Sequence, residues 1–186
     1  MDKKTQQLLD LAEEAGQTAF VELIRSQHAP HPMKDKSFHY LPYKTDSSFE
    51  QLFLEEVLTL SSIIEKGLEV YYNGDRSLTE FKIKCFKKND NKWIYIGVYT
   101  PDFLIICRKN DKIHKAIILE TKGRIYASDP KFKDKKAFME TEFKSKNNDK
   151  YGYERFDYLY LEDSMSATER ITETANAIDR FFKEDK

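Results

Sequence analysis

Glycine is scarce in this chain of 186 residues, with six in all. They are too scattered to build a Walker A loop or a GxGxxG turn, which excludes the two commonest backbone cradles for a nucleotide phosphate. Cysteine is scarcer still. Cys85 and Cys107 are the only two, both within apolar strand-like runs; no Cys-rich zinc motif exists, and reduced, buried thiols are expected. Three of the four histidines, His28, His31 and His39, fall among prolines with no i,i+4 pair, which argues against a zinc site. Long apolar runs are missing too: FLIIC (103–107) and AIIL (116–119) are far too short to span a bilayer. The N-terminus MDKKTQQLLDLAEE carries acids and lacks the apolar stretch of a secretory signal. A cytoplasmic protein with no membrane association is therefore expected. No Ser-His-Asp or Cys-His nucleophile arrangement is visible.

What the chain does have is aromatic bulk and charge. Thirteen Phe and eleven Tyr suffice for a genuine core, so disorder throughout is excluded. The expected organisation is an N-terminal helix and linker over 1–45 followed by a catalytic-sized unit over 46–186, as one globular domain. Net charge is -1, from 31 Lys and Arg against 32 Asp and Glu. The distribution is uneven: residues 81–150 hold 18 basic and 9 acidic residues. A basic middle between acidic ends suits a face that meets phosphate, although solvated lysine faces give the same count.

Apolar residues at 3–4 spacing predict a helix over 3–27, and HAPHPMKDKSFHYLPYKT (28–45) reads as a linker. A second helix is predicted from Asp46 to about Lys66, with Phe49, Leu52, Phe53, Val57 and Leu58 inward and Gly67 as its stop. Tyr71-Tyr72-Asn73-Gly74 reads as a turn. Alternation then predicts strands over 78–88 and 93–99 around the turn Asn89-Asp90-Asn91. The runs YTPDFLIIC and HKAIILETK follow as further strands. Asp129 as N-cap with Pro130 at the first position opens a helix to about Asn147. RFDYLYL (155–161) is the last strand, and Ser166 with Glu169 forms a capping box for a final helix. Helix, three strands, helix, strand, helix is an α/β order with a mixed sheet.

The informative chemistry lies at Pro101-Asp102 and Glu120-Thr121-Lys122. If the hairpin between them turns at Asp111, Asp102 falls directly opposite Glu120. Cross-strand neighbours have Cβ atoms about 4.5–5.5 Å apart, close enough for two carboxylates to grip one small cation. Residues i and i+2 of a strand share a face, so Lys122 joins Glu120. Two such acids repel unless a proton or a cation such as Mg²⁺ relieves them. The bare pattern [DE]-x-K occurs eight times in this lysine-rich chain and carries no weight alone. Only Glu120 follows a continuous apolar strand and pairs with the sole Pro-Asp dipeptide.

VYTPDFLII…KAIILETKG resembles the core of the PD-(D/E)xK nuclease superfamily. SSFEQLF together with YTPDFLII…ILETKG resembles the C-terminal endonuclease domain of type III restriction enzymes and related helicase-linked nucleases. The likeness covers roughly residues 46–161. It implies a restriction-endonuclease-like core (helix, three-stranded meander, helix, strand) with added N- and C-terminal helices. It implies that Asp102 and Glu120 hold Mg²⁺, or Mn²⁺ in its place, with the Thr121 carbonyl as a further ligand, and that Lys122 orients the attacking water. It further implies that Glu50 of SSFEQLF approaches the metal. The residues alone also allow Glu50 to be the N3 partner of a capping box with Ser47, or Glu55 or Glu56 to take the metal role. Arg124, Lys131, Lys135 and Lys136 follow the motif and are candidates for phosphate contact, with solvated faces as the alternative. The implied activity is Mg²⁺-dependent endonucleolytic cleavage of DNA in a restriction, defence or DNA-processing system, alongside a helicase or ATPase subunit or segment. The alternative from another class is a catalytically silent nucleic-acid-binding or interaction module.

Overall fold

In a computed structural model the described residues are 48–73, 81–122 and 128–183, with residues 7, 10, 11 and 14–16 of the N-terminal segment. Two helices open the main body, α1 (Ser48–Val57) and α2 (Ser61–Glu65). The single helix expected over 46–66 is thus broken. The Thr59 hydroxyl donates to the Glu56 carbonyl (2.7 Å), and Leu60 is extended, so the chain turns before restarting. Phe53, Val57 and Leu58 are buried as expected, while Leu52 is 53% exposed. Helix α2 ends in a Schellman turn: Leu68 N–H donates to the Ile63 carbonyl and Gly67 N–H to that of Ile64. Gly67 adopts φ +58°, a conformation that glycine takes without strain.

Strand β1 (Glu69–Tyr72) follows where a turn was expected. Val70 and Tyr72 alternate into the core, a period-two pattern too short to outweigh the Asn-Gly that follows it. Next come β2 (Ile83–Asn89) and β3 (Lys92–Tyr99), then β4 (Phe103–Lys109) and β5 (Lys112–Lys122). Phe81 and Lys82, expected within a strand, lie outside it. Strands β2 and β3 form a separate two-stranded sheet, and the main sheet has the order β1-β4-β5-β6. The antiparallel meander of the main sheet is therefore β1, β4 and β5, with the β2–β3 hairpin inserted between its first two strands. In the hairpin a bulge at Cys85/Phe86 is matched by Gly97 at φ +117°, beside which the Lys135 stem passes.

Helix α3 (Pro130–Phe138) begins at Asp129, whose carboxylate accepts from Lys131 N–H, with Pro130 at the first position. A π-helical segment (Met139–Phe143) joins it to α4 (Lys144–Tyr151), extending the expected helix. This crossover lets β6 (Phe156–Glu162) run parallel to β5. Helix α5 (Ala167–Phe181) closes the order, with both halves of the Ser166/Glu169 capping box formed.

Strand β5 is covered on both faces, hence its continuous apolar run. Ile117 and Leu119 join Phe53, Val57, Tyr72, Phe103 and Ile178 in one core, beneath α1, α2 and α5. Ile118 joins Ile83, Cys85, Tyr99, Met139 and Tyr158 in a second core, beneath the hairpin and the α3–α4 arm. The fold is mixed α/β with a mixed sheet. Both cysteines are free; Cys85 is buried, and Cys107, expected to be buried, is only half so. No helix among the described residues is long and apolar enough to cross a membrane.

Candidate functional site

The β4–β5 register pairs Phe103 with Leu119 through to Cys107 with Lys115, which leaves Asp102 just beyond the paired stretch, bonded to Thr121 and beside Glu120. The tight turn is made by Asn110 and Asp111, both at positive φ, and a bulge after Cys107 absorbs the one-residue offset. Asp102 sits in the bend just before β4, partly accessible, whereas Glu120 is 1% exposed within β5.

Four hydrogen bonds fix this bend. Thr121 donates twice to Asp102 Oδ2, through its backbone N–H (2.8 Å) and through its hydroxyl (2.8 Å). Asn73, at the end of β1, donates its N–H to the Asp102 carbonyl (2.7 Å) and its side-chain amide to the carbonyls of Pro101 and Phe81. Its amide oxygen accepts from Phe81 N–H. One buried asparagine thus ties the end of β1, the Pro-Asp bend and the approach to the hairpin together.

Acidic groups meet here. Burial first, then the charges of Glu120 and Glu50, push the Asp102 carboxyl well above the usual carboxylate range; the two Thr121 bonds pull the other way. Glu50, on the first turn of α1, is 8% exposed, and the buried Tyr72 hydroxyl donates to its Oε2 at 2.5 Å. On the Glu120 side, the Tyr99 hydroxyl lies 2.8 Å from that of Tyr158 and feels the Glu120 charge. Burial, then the Glu120 charge, lifts the Tyr99 hydroxyl far above its ordinary value, so it stays a neutral donor.

The donor set is hard oxygen throughout. Among the described residues no three Asp, Glu, His or Cys side chains form a ready-made metal cage. Glu50, Asp102 and Glu120 therefore do not converge as a three-carboxylate cage. Burial, with the neighbouring acidic charges, raises the Asp102 carboxyl, a cost that a proton or a cation relieves.

Of the other expected residues, the Lys122 side chain and Arg124 lie outside the described residues, as does Ser47 of the expected capping box. Lys131 is exposed on the first turn of α3. Lys135 donates to the Val98 carbonyl (2.8 Å), bracing α3 on the hairpin. Lys136 lies 3.6 Å from the centre of the Tyr160 ring and 3.7 Å from Glu140. Thr121 is bonded to Asp102, and the charges of Glu120 and Glu50 act on the same carboxyl; of the three α3 lysines, Lys136 comes nearest, over the Tyr160 ring that neighbours Glu120. Sequence reasoning missed Tyr72 and Asn73 as supports, and Tyr99 beside Glu120. The signal for Tyr72 and Asn73 was the alternation in Glu69–Tyr72; Tyr99 carried none. No family model matches the chain, and no curated protein or solved structure resembles it significantly.

Proposed function

We propose that this chain is a Mg²⁺-dependent endonuclease of PD-(D/E)xK type that hydrolyses DNA phosphodiester bonds in a restriction, defence or DNA-processing system. The observation that carries the reading is the approach of half-buried Asp102 to buried Glu120 at the end of the β4–β5 hairpin, with the Glu50 charge acting on the same carboxyl. The order helix, antiparallel meander, helical crossover and parallel strand also supports a restriction-endonuclease-like core.

In this reading Asp102 and Glu120 hold the ion, with the Thr121 carbonyl as the further ligand that the resemblance implies. Bound there, Mg²⁺ supplies Lewis-acid polarisation of the phosphate and lowers the pKa of water. Thr121 and Asn73 keep the Asp102 carboxylate aimed, so that little reorganisation is needed during reaction. Lys122, two residues beyond Glu120, orients the attacking water and offsets charge on the phosphate. A lysine with an ordinary pKa of about 10.4 is a poor base, so positioning rather than proton abstraction is its role.

The test is incubation of the purified chain with supercoiled plasmid, with and without Mg²⁺ or Mn²⁺, alongside Asp102→Asn and Lys122→Ala. Metal-dependent nicking by the wild type and its loss in both variants is expected. Absence of cleavage in every divalent metal, with DNA binding retained, would move the assignment to the silent binding module.

A further inference from the structure

A second concavity lies on the sheet face that carries Glu120. It is an open depression of about 600 Å³ between the hairpin, the α3–α4 arm and the start of β6. Its walls are aromatic: Phe86 and Trp93 from the hairpin, Phe138 and Phe143 from the arm, and Phe156 from β6. Phe156 pairs with Ala116, while Tyr160 pairs with Glu120. The pocket therefore sits four residues back along the sheet from the carboxylates, about 13 Å at ~3.3 Å per residue. Phe81 lines its near edge, and the Phe81 backbone is held by the same Asn73 that holds the Asp102 bend.

The charged residues lining the pocket are all lysines, Lys82, Lys84 and Lys146. The hairpin beyond adds Lys87, Lys88 and Lys92 against one acid, Asp90. Lys87 is paired with Asp134 on α3 (2.8 Å). An apolar helix from a protein partner would fill such a pocket only by burying or crowding these ammonium groups. A strand of nucleic acid instead brings flat π faces for the walls and phosphates for the rim. Trp93, 42% exposed, already has a cation on its ring: Lys146 Nζ stands 3.6 Å from the ring centre and 3.2 Å from Glu142. A base could take that ring face while the ammonium turns to the adjoining phosphate, so neither group loses a partner.

We propose that this pocket stacks unpaired bases of a single nucleic-acid strand, with the hairpin lysines along its phosphates. The inference rests on the endonuclease reading for its purpose, since it gives the strand being cut a second anchor on the same face. Its test is independent of cleavage. Trp93 is the only tryptophan among eleven tyrosines, so emission excited selectively at tryptophan reports on this pocket.

The full chain carrying Asp102→Asn, in EDTA, is titrated with a short oligothymidylate and with a blunt duplex of the same length. The single strand is expected to quench Trp93 emission and the duplex to do so far less. With a labelled oligothymidylate followed by anisotropy, Trp93→Ala should weaken binding by about tenfold or more and Trp93→Phe should restore most of it. Lys84→Gln with Lys146→Gln should flatten the salt dependence by about 0.7 in slope per lysine removed. A circular-dichroism melt matching the parent verifies each variant's fold. Saturable binding that leaves the emission unchanged, or that Trp93→Ala does not weaken, overturns the proposal. Equal quenching by duplex and single strand, or an apolar dye entering where neither nucleic acid does, assigns the face to another partner and overturns it too. Plasmid cleavage without oligothymidylate binding would sink this inference and spare the endonuclease reading; quenching without cleavage would do the reverse.

Discussion

Thr121 grips one oxygen of Asp102 twice: its backbone N–H and its hydroxyl both donate to Oδ2, each at 2.8 Å. Neither bond uses Oδ1. A strand residue next to Glu120 therefore fixes the carboxylate across from Glu120, and the two acids are held by one stretch of β5. The clamp favours the ionised form of Asp102, against the burial and the neighbouring charges that disfavour it.

Thr121→Val keeps the backbone bond and the side-chain volume while deleting the hydroxyl. The Asp102 carboxyl should rise further, because one of its two stabilising donors is gone. The acid limb of a cleavage-against-pH profile is expected to move upward by about one pH unit, equivalent to about 1.4 kcal/mol. An unmoved profile would show that the hydroxyl does not govern this carboxyl.

Asp102→Asn should stabilise the metal-free protein. A carboxyl raised in the folded state contributes no cost below its unfolded value of about 3.9 and an increasing cost as pH rises through the folded value. The variant lacks that cost, and its amide oxygen still accepts from Thr121. In EDTA at pH 7–8 it should melt above the wild type, with the gap closing below pH about 4. Added Mg²⁺ should then raise the melting temperature of the wild type and leave the variant unmoved.

Glu50 and Tyr72 separate support from chemistry. Glu50→Gln can still accept the Tyr72 hydroxyl, so the melting temperature should hold while Mg²⁺-dependent cleavage falls tenfold or more. Tyr72→Phe removes the donor from a buried, charged acceptor, which costs about 1–3 kcal/mol of stability. Its thermal midpoint should drop while kcat changes less than in Glu50→Gln. Reversal of that pattern would return Glu50 to a purely structural role.

Away from the site, Asp157 anchors β6 to two helices. Its carboxylate accepts from Lys144 (2.5 Å), Tyr158 N–H (2.8 Å) and Arg180 (3.2 Å). Burial works to raise this carboxyl, but the Lys144 and Tyr158 bonds, with Arg180, hold it below its usual value. Stability from this group is present above the unfolded value of about 3.9 and lost as pH falls through the folded one. Asp157→Asn should lower urea stability by about 1–3 kcal/mol at pH 7, and the difference should shrink below pH about 3.

Local signals in the sequence determined much of this molecule. The β4–β5 hairpin followed from its two apolar runs and the charged turn between them. The turn lies at Asn110-Asp111 rather than centring on Asp111, however, and a bulge after Cys107 that no local signal announced restores the register expected for the outer pairs. The Gly67 stop, the Asp129–Pro130 start and the Ser166–Glu169 box were equally legible, since each cap is made by residues within a few positions of one another. Tertiary structure alone decided the rest. Nothing local says that Glu69–Tyr72 joins β4 as an edge strand, or that the β2–β3 hairpin leaves the main sheet to cover its face. Pairing between distant segments depends on which apolar surfaces remain to be buried once the nearer elements have formed. The supports of the site belong to the same class: Tyr72 reaches Glu50 across 22 residues, and Asn73 reaches Pro101 across 28. A buried carboxylate needs donors from wherever the chain passes, and only the folded packing brings those donors to it.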